Sequence, residues 1–251
     1  MKKILVPIPS YGFDPTEVAI PWKILTRDHC ELLFATPTGT QASADEIMLT
    51  GKRLGIWRNI LKARKDAVDA YRELEQYDNF RNPLKYTQIR YSDHDALLLP
   101  GGHDKGVKEY LESEILQRVV VDFFESGKPV AAICHGVLLA ARSTSPQTGK
   151  SVLYGYKTTA LLKKQEMLAY NMTRWWLHDY YLTYPGMTVE DEVKSALSSP
   201  DNFITAPTGA SRDSENNLER GFVARDRNYL SARWPGDAYR FSFEFSKMLM
   251  D

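Results

Sequence analysis

The chain alternates short unbroken apolar runs with segments whose apolar residues recur every three or four positions. "KKILVPIP" at the start, then "CELLFATP", "DALLLPGG" (Asp95 to Gly102) and "KPVAAIC" are runs of this first kind, bounded by Gly, Pro or Asp. Runs of that length read as strands buried on both faces, the habit of parallel sheets. Between the first two lies "TEVAIPWKILT", a helical pattern expected to break or kink at Pro21. Between the last two lies "SEILQRVVVDFFESG", an amphipathic helix closed by Gly127. Strand, helix, strand repeated in this way predicts an α/β fold. Later, "FITAP", "GFVARD" and "NYLSARW" predict further strands, the last two as a hairpin, ahead of a helix at "DAYRFSFEFSKML".

Two stretches interrupt the rhythm. Residues 47–91 contain "ILKARKDAVDAYRELEQYDNF", a charged helical pattern poor in β-branched residues, expected outside the sheet as a surface excursion. Residues 158–199 contain "YNMTRWWLHDYYLTYPG", where Trp175, Trp176, Tyr180, Tyr181 and Tyr184 crowd one segment, and "TVEDEVKSAL", whose Thr188 and Asp191 resemble a capping box. Aromatic residues at that density suit either core packing or the wall of a pocket or interface.

Composition narrows the partners. The chain's 251 residues, 43% hydrophobic and 25% charged, suffice for one core, so residues 1–251 read as a single domain with two insertions. Lys and Arg total 32, as do Asp and Glu, which leaves no net field to attract nucleic acid or an anionic membrane and points to a small-molecule substrate. No window approaches a membrane span and "MKKILVPIPS" is too short in apolar residues for a secretory signal, so a cytoplasmic protein is expected. In that compartment Cys30 and Cys134 are expected as free thiols. His29, His94 and His178 show no local metal-ligand spacing and Cys30 falls in an expected core strand, so no structural zinc is expected.

The candidate chemistry lies in "PVAAICHGVLLA". Ala132, Cys134 and Gly136 follow the small-x-nucleophile-x-small spacing of a strand-to-helix elbow, with cysteine as nucleophile. At the carboxyl end of a parallel strand the sulfur is expected to project into a cleft, with the following helix favouring its thiolate.

"AAICHG" after a buried strand, "LLLPGGH" one strand earlier and an acid in "DPTEVAIPW" after the first strand together resemble the ThiJ/PfpI superfamily. The resemblance implies a flavodoxin-like three-layer α/β/α sandwich related to class I glutamine amidotransferase domains, and the helical insertions suit its larger glyoxalase-type and chaperone-type members. It implies a homodimer, no cofactor and no metal. It assigns Cys134 as nucleophile, His135 as its neighbour in a catalytic dyad, and Glu17 as the facing acid, whose pKa a nearby thiolate would raise. Gly101 and Gly102 would offer backbone N–H groups that, with that of His135, form an oxyanion hole. His103 stands next to them, either at the site mouth or simply solvated.

The chain departs from the family pattern in two ways. Where larger members place an acid to complete a triad, "GKSVLYGYKTTALL" has none, and Glu166 follows at an uncertain register, so the orienting partner of His135 is unassigned. The C-terminal stretch "SARWPGDAYRFSFEF" lacks the histidine that glutamine amidotransferases use. Three readings stay open: a cofactor-independent cysteine enzyme acting on small α-oxoaldehydes in the manner of a glyoxalase III, with a hydrolase or isocyanide hydratase as its nearest variant; a stress-responsive chaperone or redox sensor; and a metabolite-binding relic.

Overall fold

The computed structural model describes residues 1–205 and 211–250. Its strands in chain order are β1 (Lys3–Pro7), β2 (Tyr11–Phe13), β3 (Glu31–Thr36), β4 (Ser43–Ala44), β5 (Leu84–Lys85), β6 (Ala96–Leu99), β7 (Val130–Ile133), β8 (Val223–Asp226) and β9 (Tyr229–Ala232). Seven of them form one sheet in the order β5-β3-β1-β6-β7-β9-β8, parallel throughout except for β8, which pairs antiparallel with β9. β2 and β4 make a separate parallel pair. The unbroken burial of β6 and β7 explains their composition: Ala, Leu, Val and Ile face helices on both sides and no position is left for a polar residue.

Helices Pro15–Arg27, Lys65–Leu74 and Ala238–Met250 pack together, and so do Glu114–Glu125, Gly136–Arg142 and Val189–Ala196. The fold is a flavodoxin-like α/β sandwich. From β1 the chain moves outward to β3, then returns to β6 on the other side of β1, and ligands of such sheets bind at the carboxyl ends of the strands where this order reverses. Glu17 follows β1, Gly101 follows β6, and Cys134 follows β7 at this end of the sheet.

Several expectations need correcting. The helix after β1 is continuous from Pro15 to Arg27 with Pro21 inside it, and Asp14 caps its start by accepting from the N–H groups of Thr16 and Glu17. Residues 47–91 are not a surface excursion outside the sheet: Leu84–Lys85 supplies the edge strand β5, and Ala67, Ala70, Tyr71, Leu74 and Phe80 are buried in the main core. The charged residues that suggested a solvated helix occupy its outer face only. "FITAP" forms no strand over its described part: Phe203 makes a single bridge to Thr158, and Ala206 and Pro207 lie outside the described residues. Cys30 precedes β3 rather than lying in it. Among the described residues no helix is long and apolar enough to cross a membrane.

Glycine decides how closely the strand ends approach. A Cβ on Gly136 would lie 2.1 Å from the Leu99 carbonyl oxygen and 2.6 Å from that of Pro100, and one on Gly101 would lie 2.6 Å from the His135 nitrogen. Neither backbone can retreat without moving a buried strand. Gly136→Ala is therefore expected to destabilise the fold by about 1–3 kcal/mol, as overpacking does; a urea midpoint equal to wild type would contradict this close approach.

Candidate active site

Cys134 sits between the last residue of β7 and the helix Gly136–Arg142, with φ +58°. A non-glycine residue in the left-handed region carries strain that the surrounding packing has to hold. Here the strand is clamped by β6 and β9, and the helix start is held against the end of β6, so the turn between them has little freedom.

Glu17 lies in the first turn of the Pro15–Arg27 helix and is wholly buried. Its Oε2 accepts from the Gly101 N–H at 2.8 Å, its Oε1 has no hydrogen-bond partner, and the carboxyl lies near enough to the Cys134 thiol for each to shift the other's pKa. The Gly101 carbonyl in turn accepts from the Asp14 N–H at 2.9 Å, so β1's following helix, the end of β6 and the elbow are tied in one small knot. The Gly101 N–H is thus committed to the carboxyl, which corrects its assignment as an oxyanion donor. Gly102 serves close approach: its Cβ would lie 2.5 Å from the Gly12 carbonyl oxygen.

His135 Nδ1 is 3.5 Å from the Cys134 sulfur, and Nε2 is 3.1 Å from the Thr183 hydroxyl. That hydroxyl donates its one hydrogen to the His103 carbonyl at 3.0 Å. It must then accept from His135, which puts the imidazole proton on Nε2 and leaves the Nδ1 lone pair facing sulfur. The unassigned partner of His135 is therefore a hydroxyl, not an acid. Glu166 is elsewhere, its Oε2 accepting from the Val189 N–H at 3.0 Å at the start of the Val189–Ala196 helix, and burial pushes its pKa up to about 7.

The segment carrying Thr183 is pinned from several sides. Arg142, at the end of the elbow helix, makes a bidentate pair with Glu192 and donates to the Tyr184 hydroxyl at 2.8 Å. Lys105 Nζ donates to the Asp179 and Leu182 carbonyls. The Tyr180 hydroxyl donates to Asp45, which caps the helix Glu46–Thr50. Both insertions thereby meet over the site, joined by a small cluster of Met48, Leu54, Leu177, Tyr180 and Tyr181. Of the aromatic residues in 158–199, Tyr180 and Tyr181 are buried there, while Trp175 is 78% exposed. Thr188 caps the Val189–Ala196 helix through the Asp191 N–H. His103 is not solvated: its ring is buried 4.9 Å from the rings of His135 and Tyr181.

Electrostatically the site is dry. Cys134 is 1% exposed, which corrects the expectation of a sulfur projecting into an open cleft and held as thiolate. Burial pushes the thiol well above its ordinary pKa, the negative charge of Glu17 and Asp14 pushes it further, and the His135 N–H only partly opposes this. The seven-residue elbow helix does not offset that desolvation. Burial also drives Glu17 well above its ordinary value, helped by Asp14, with the Gly101 N–H and the thiol opposing. The imidazoles go the other way: burial lowers His135 well below its usual range, and His103 to about 4. At neutral pH the resting site holds a thiol and two uncharged imidazoles.

The structure thus gathers Glu17, Cys134, His135 and Gly101 into one buried site, with Gly102 and His103 adjoining, and adds Thr183, which the sequence reading missed. Thr183 had no local signal, since a threonine among tyrosines reads as filler.

A sequence profile described as ThiJ/PfpI family-like matches residues 8–195, three quarters of the chain and all of these residues. The chain belongs to this family. The ThiJ/PfpI chain is similar to an uncharacterized protein of Schizosaccharomyces pombe, 27% identical over 151 residues that make up 57% of this chain and 55% of that protein. It is 26% identical over 157 residues to the glutathione-independent glyoxalase hsp3102 of the same yeast, covering 62% of each chain. It is 29% identical over 168 residues to a deglycase of Thermococcus kodakarensis, covering 66% of this chain and 69% of the other. Less than two thirds of either yeast relative is therefore matched. Among solved structures, glyoxalase III of Candida albicans has a TM-score of 0.72 at 17% identity, covering 98% of this ThiJ/PfpI chain and 97% of that one, which is a likeness of fold.

Glu17 generates a prediction about stability. Its carboxyl titrates near 4.5 when unfolded and well above that when folded, so the folded state binds the extra proton between those values. Its contribution is fully present below the unfolded value and is lost as pH rises through the folded one. Relative to wild type, Glu17→Gln is expected to gain thermal stability progressively as pH rises above the unfolded value of the carboxyl; a difference in Tm that stays flat as pH rises from there through neutrality would refute a buried, proton-retaining Glu17.

Proposed function

We propose that this protein is a cofactor-independent enzyme of the glyoxalase type, converting an α-oxoaldehyde to the 2-hydroxy acid through covalent attack by Cys134. The observation that carries the reading is the thiol held between a buried carboxyl and the Nδ1 lone pair of a neutral imidazole. Glyoxalase- and deglycase-named relatives support the class of reaction and leave its substrate open.

The dry site selects among proton routes. Passing the thiol proton to His135 would create thiolate and imidazolium from two neutral groups where no water solvates either, a large cost in a low-dielectric interior. Passing it to an ionised Glu17 only moves one negative charge from oxygen to sulfur. The competent form is therefore the Glu17–Cys134 pair holding one proton, and the two titrate together. The S–H adds across the aldehyde C=O, making a hemithioacetal. The hydrogen on that carbon leaves as a proton and returns to the adjacent carbon, so that the aldehyde carbon is oxidised and the ketone reduced with no outside electron carrier. Water then cleaves the thioester, releasing the hydroxy acid and regenerating the thiol. His135, anchored by Thr183, presents its lone pair to the proton in transit.

A Cys–His dyad acting on amides would need two charges at once in the same dry site, which makes the hydrolase variant the weaker reading.

The test is consumption of methylglyoxal and release of lactate by wild type, Cys134→Ser, Glu17→Gln and the Thr183 variants. Cys134→Ser and Glu17→Gln are expected to abolish turnover. Thr183→Val is expected to lower kcat by about 10-fold and Thr183→Ser to restore it, as suits a group that orients a proton acceptor. In wild type, kcat/KM is expected to rise with pH as the coupled pair loses its first proton. Turnover that survives Cys134→Ser would end the proposal.

A further inference from the structure

A second feature shares lining residues with the surroundings of the site. A cavity of about 270 Å³ is walled by apolar side chains, among them Met48, Leu161, Leu168, Ala169 and Met172. His103 lines it, and the same ring packs edge-on to His135, whose Nδ1 is 3.5 Å from sulfur. Asp14, which caps the helix bearing Glu17, lines it as well. The cavity therefore adjoins the Cys134 site through two residues that belong to both.

Its polar atoms are unusual. Buried polar groups nearly always find a partner, and an orphan needs an explanation. Among the described residues the orphans include His103 Nδ1, Gln165 Oε1, Tyr181 Oη and Trp234 Nε1, and all four residues line this one cavity. Arg212 lines it too, with one nitrogen donating to the Leu61 carbonyl at 3.2 Å and its guanidinium 5.5 Å from the Trp234 ring centroid. Trp234 and Arg212 only donate, and Tyr181 has a hydrogen to give. Asp14 on the same wall already faces the charge of Arg212, so an uncharged acceptor oxygen suits the cavity better than a second carboxylate.

We infer that this cavity is the specificity pocket of the Cys134 site, and that it takes α-oxoaldehydes whose substituent is a bulky, mainly apolar group such as an aryl ring, the ketone oxygen meeting the donor groups of the wall. The inference rests on the glyoxalase-type reading and adds to it which members of the substrate class are preferred. A methyl group leaves most of such a space unfilled and gains little from it, whereas a ring removes its own apolar surface and that of Leu161, Leu168 and Met172 from water.

The test compares phenylglyoxal with methylglyoxal on wild type and on Ala169→Phe, which puts a ring into the cavity from a partly exposed position on the helix Lys163–Leu177. Leu168→Trp, at a more exposed position of the same helix, serves if Ala169→Phe does not fold. Wild type is expected to favour phenylglyoxal in kcat/KM by about 10-fold or more, and the filled variant to lose that preference because its kcat/KM for phenylglyoxal falls by much more than that for methylglyoxal. Equal use of both substrates by wild type, a preference for methylglyoxal, or an equal loss for both in the folded variant would overturn the inference. Should wild type consume neither, the glyoxalase reading falls by itself, and the pocket is judged by calorimetric binding of acetophenone to Cys134→Ser. Binding that Ala169→Phe abolishes then supports an aryl-ketone pocket, and no binding overturns it.

Discussion

The structure depends on three backbones approaching more closely than side chains allow. The start of the elbow helix, the end of β6 and the turn after β2 meet where Gly136, Gly101 and Gly102 leave no Cβ between them. That contact permits the Gly101 N–H to reach Glu17 and brings the carboxyl to the thiol. A methyl group on Gly101 would meet both the His135 nitrogen and the Glu17 carboxyl, so the spacing of acid and elbow depends on its absence. The positive φ of Cys134 belongs to the same constraint, because a turn clamped between a buried strand and a helix packed on its neighbour has no relaxed conformation open to it.

Close packing also excludes water, and that decides the electrostatics. Cysteine and carboxylic acid both resist losing a proton in a low-dielectric interior, while imidazole resists gaining one. An elbow read in isolation suggests a free thiolate supported by a helix. The assembled site instead stores its reactivity as a shared proton, to be moved when a substrate supplies the electrophile. Both partners shift in the same direction, so each holds its proton more tightly than it would in water and the pair titrates together.

The two insertions, which looked like decoration on a doubly wound sheet, build the far side of the site. One contributes Met48, the other Thr183, Tyr180 and Tyr181; Asp45, just ahead of the first, accepts from Tyr180, and the Arg142–Glu192 pair ties the second to the elbow helix. Thr183 fixes the tautomer of His135 with a hydroxyl, where an acid would have favoured imidazolium. The choice agrees with the rest of the site, since an added carboxylate there would bring another negative charge beside Glu17 and Asp14. The insertions therefore tune both the proton economy of the site and the shape of the space beside it.

Local pattern determined the sheet strands, the helices between them and the elbow, because burial on two faces and a tight strand-to-helix turn each restrict residue types over a few adjacent positions. The spacing of Glu17, Gly101 and Cys134, each just past a parallel strand, was also enough to bring them to one end of the sheet. Tertiary structure alone decided the rest. Whether Cys134 is thiol or thiolate depends on water excluded by residues far away in the chain. The partner of His135 arrives from 48 positions later. Leu84–Lys85 becomes a strand only because β3 offers it an edge. These properties come from contacts between distant segments, and no short window of sequence carries the dielectric, the hydrogen bond or the neighbouring strand that creates them.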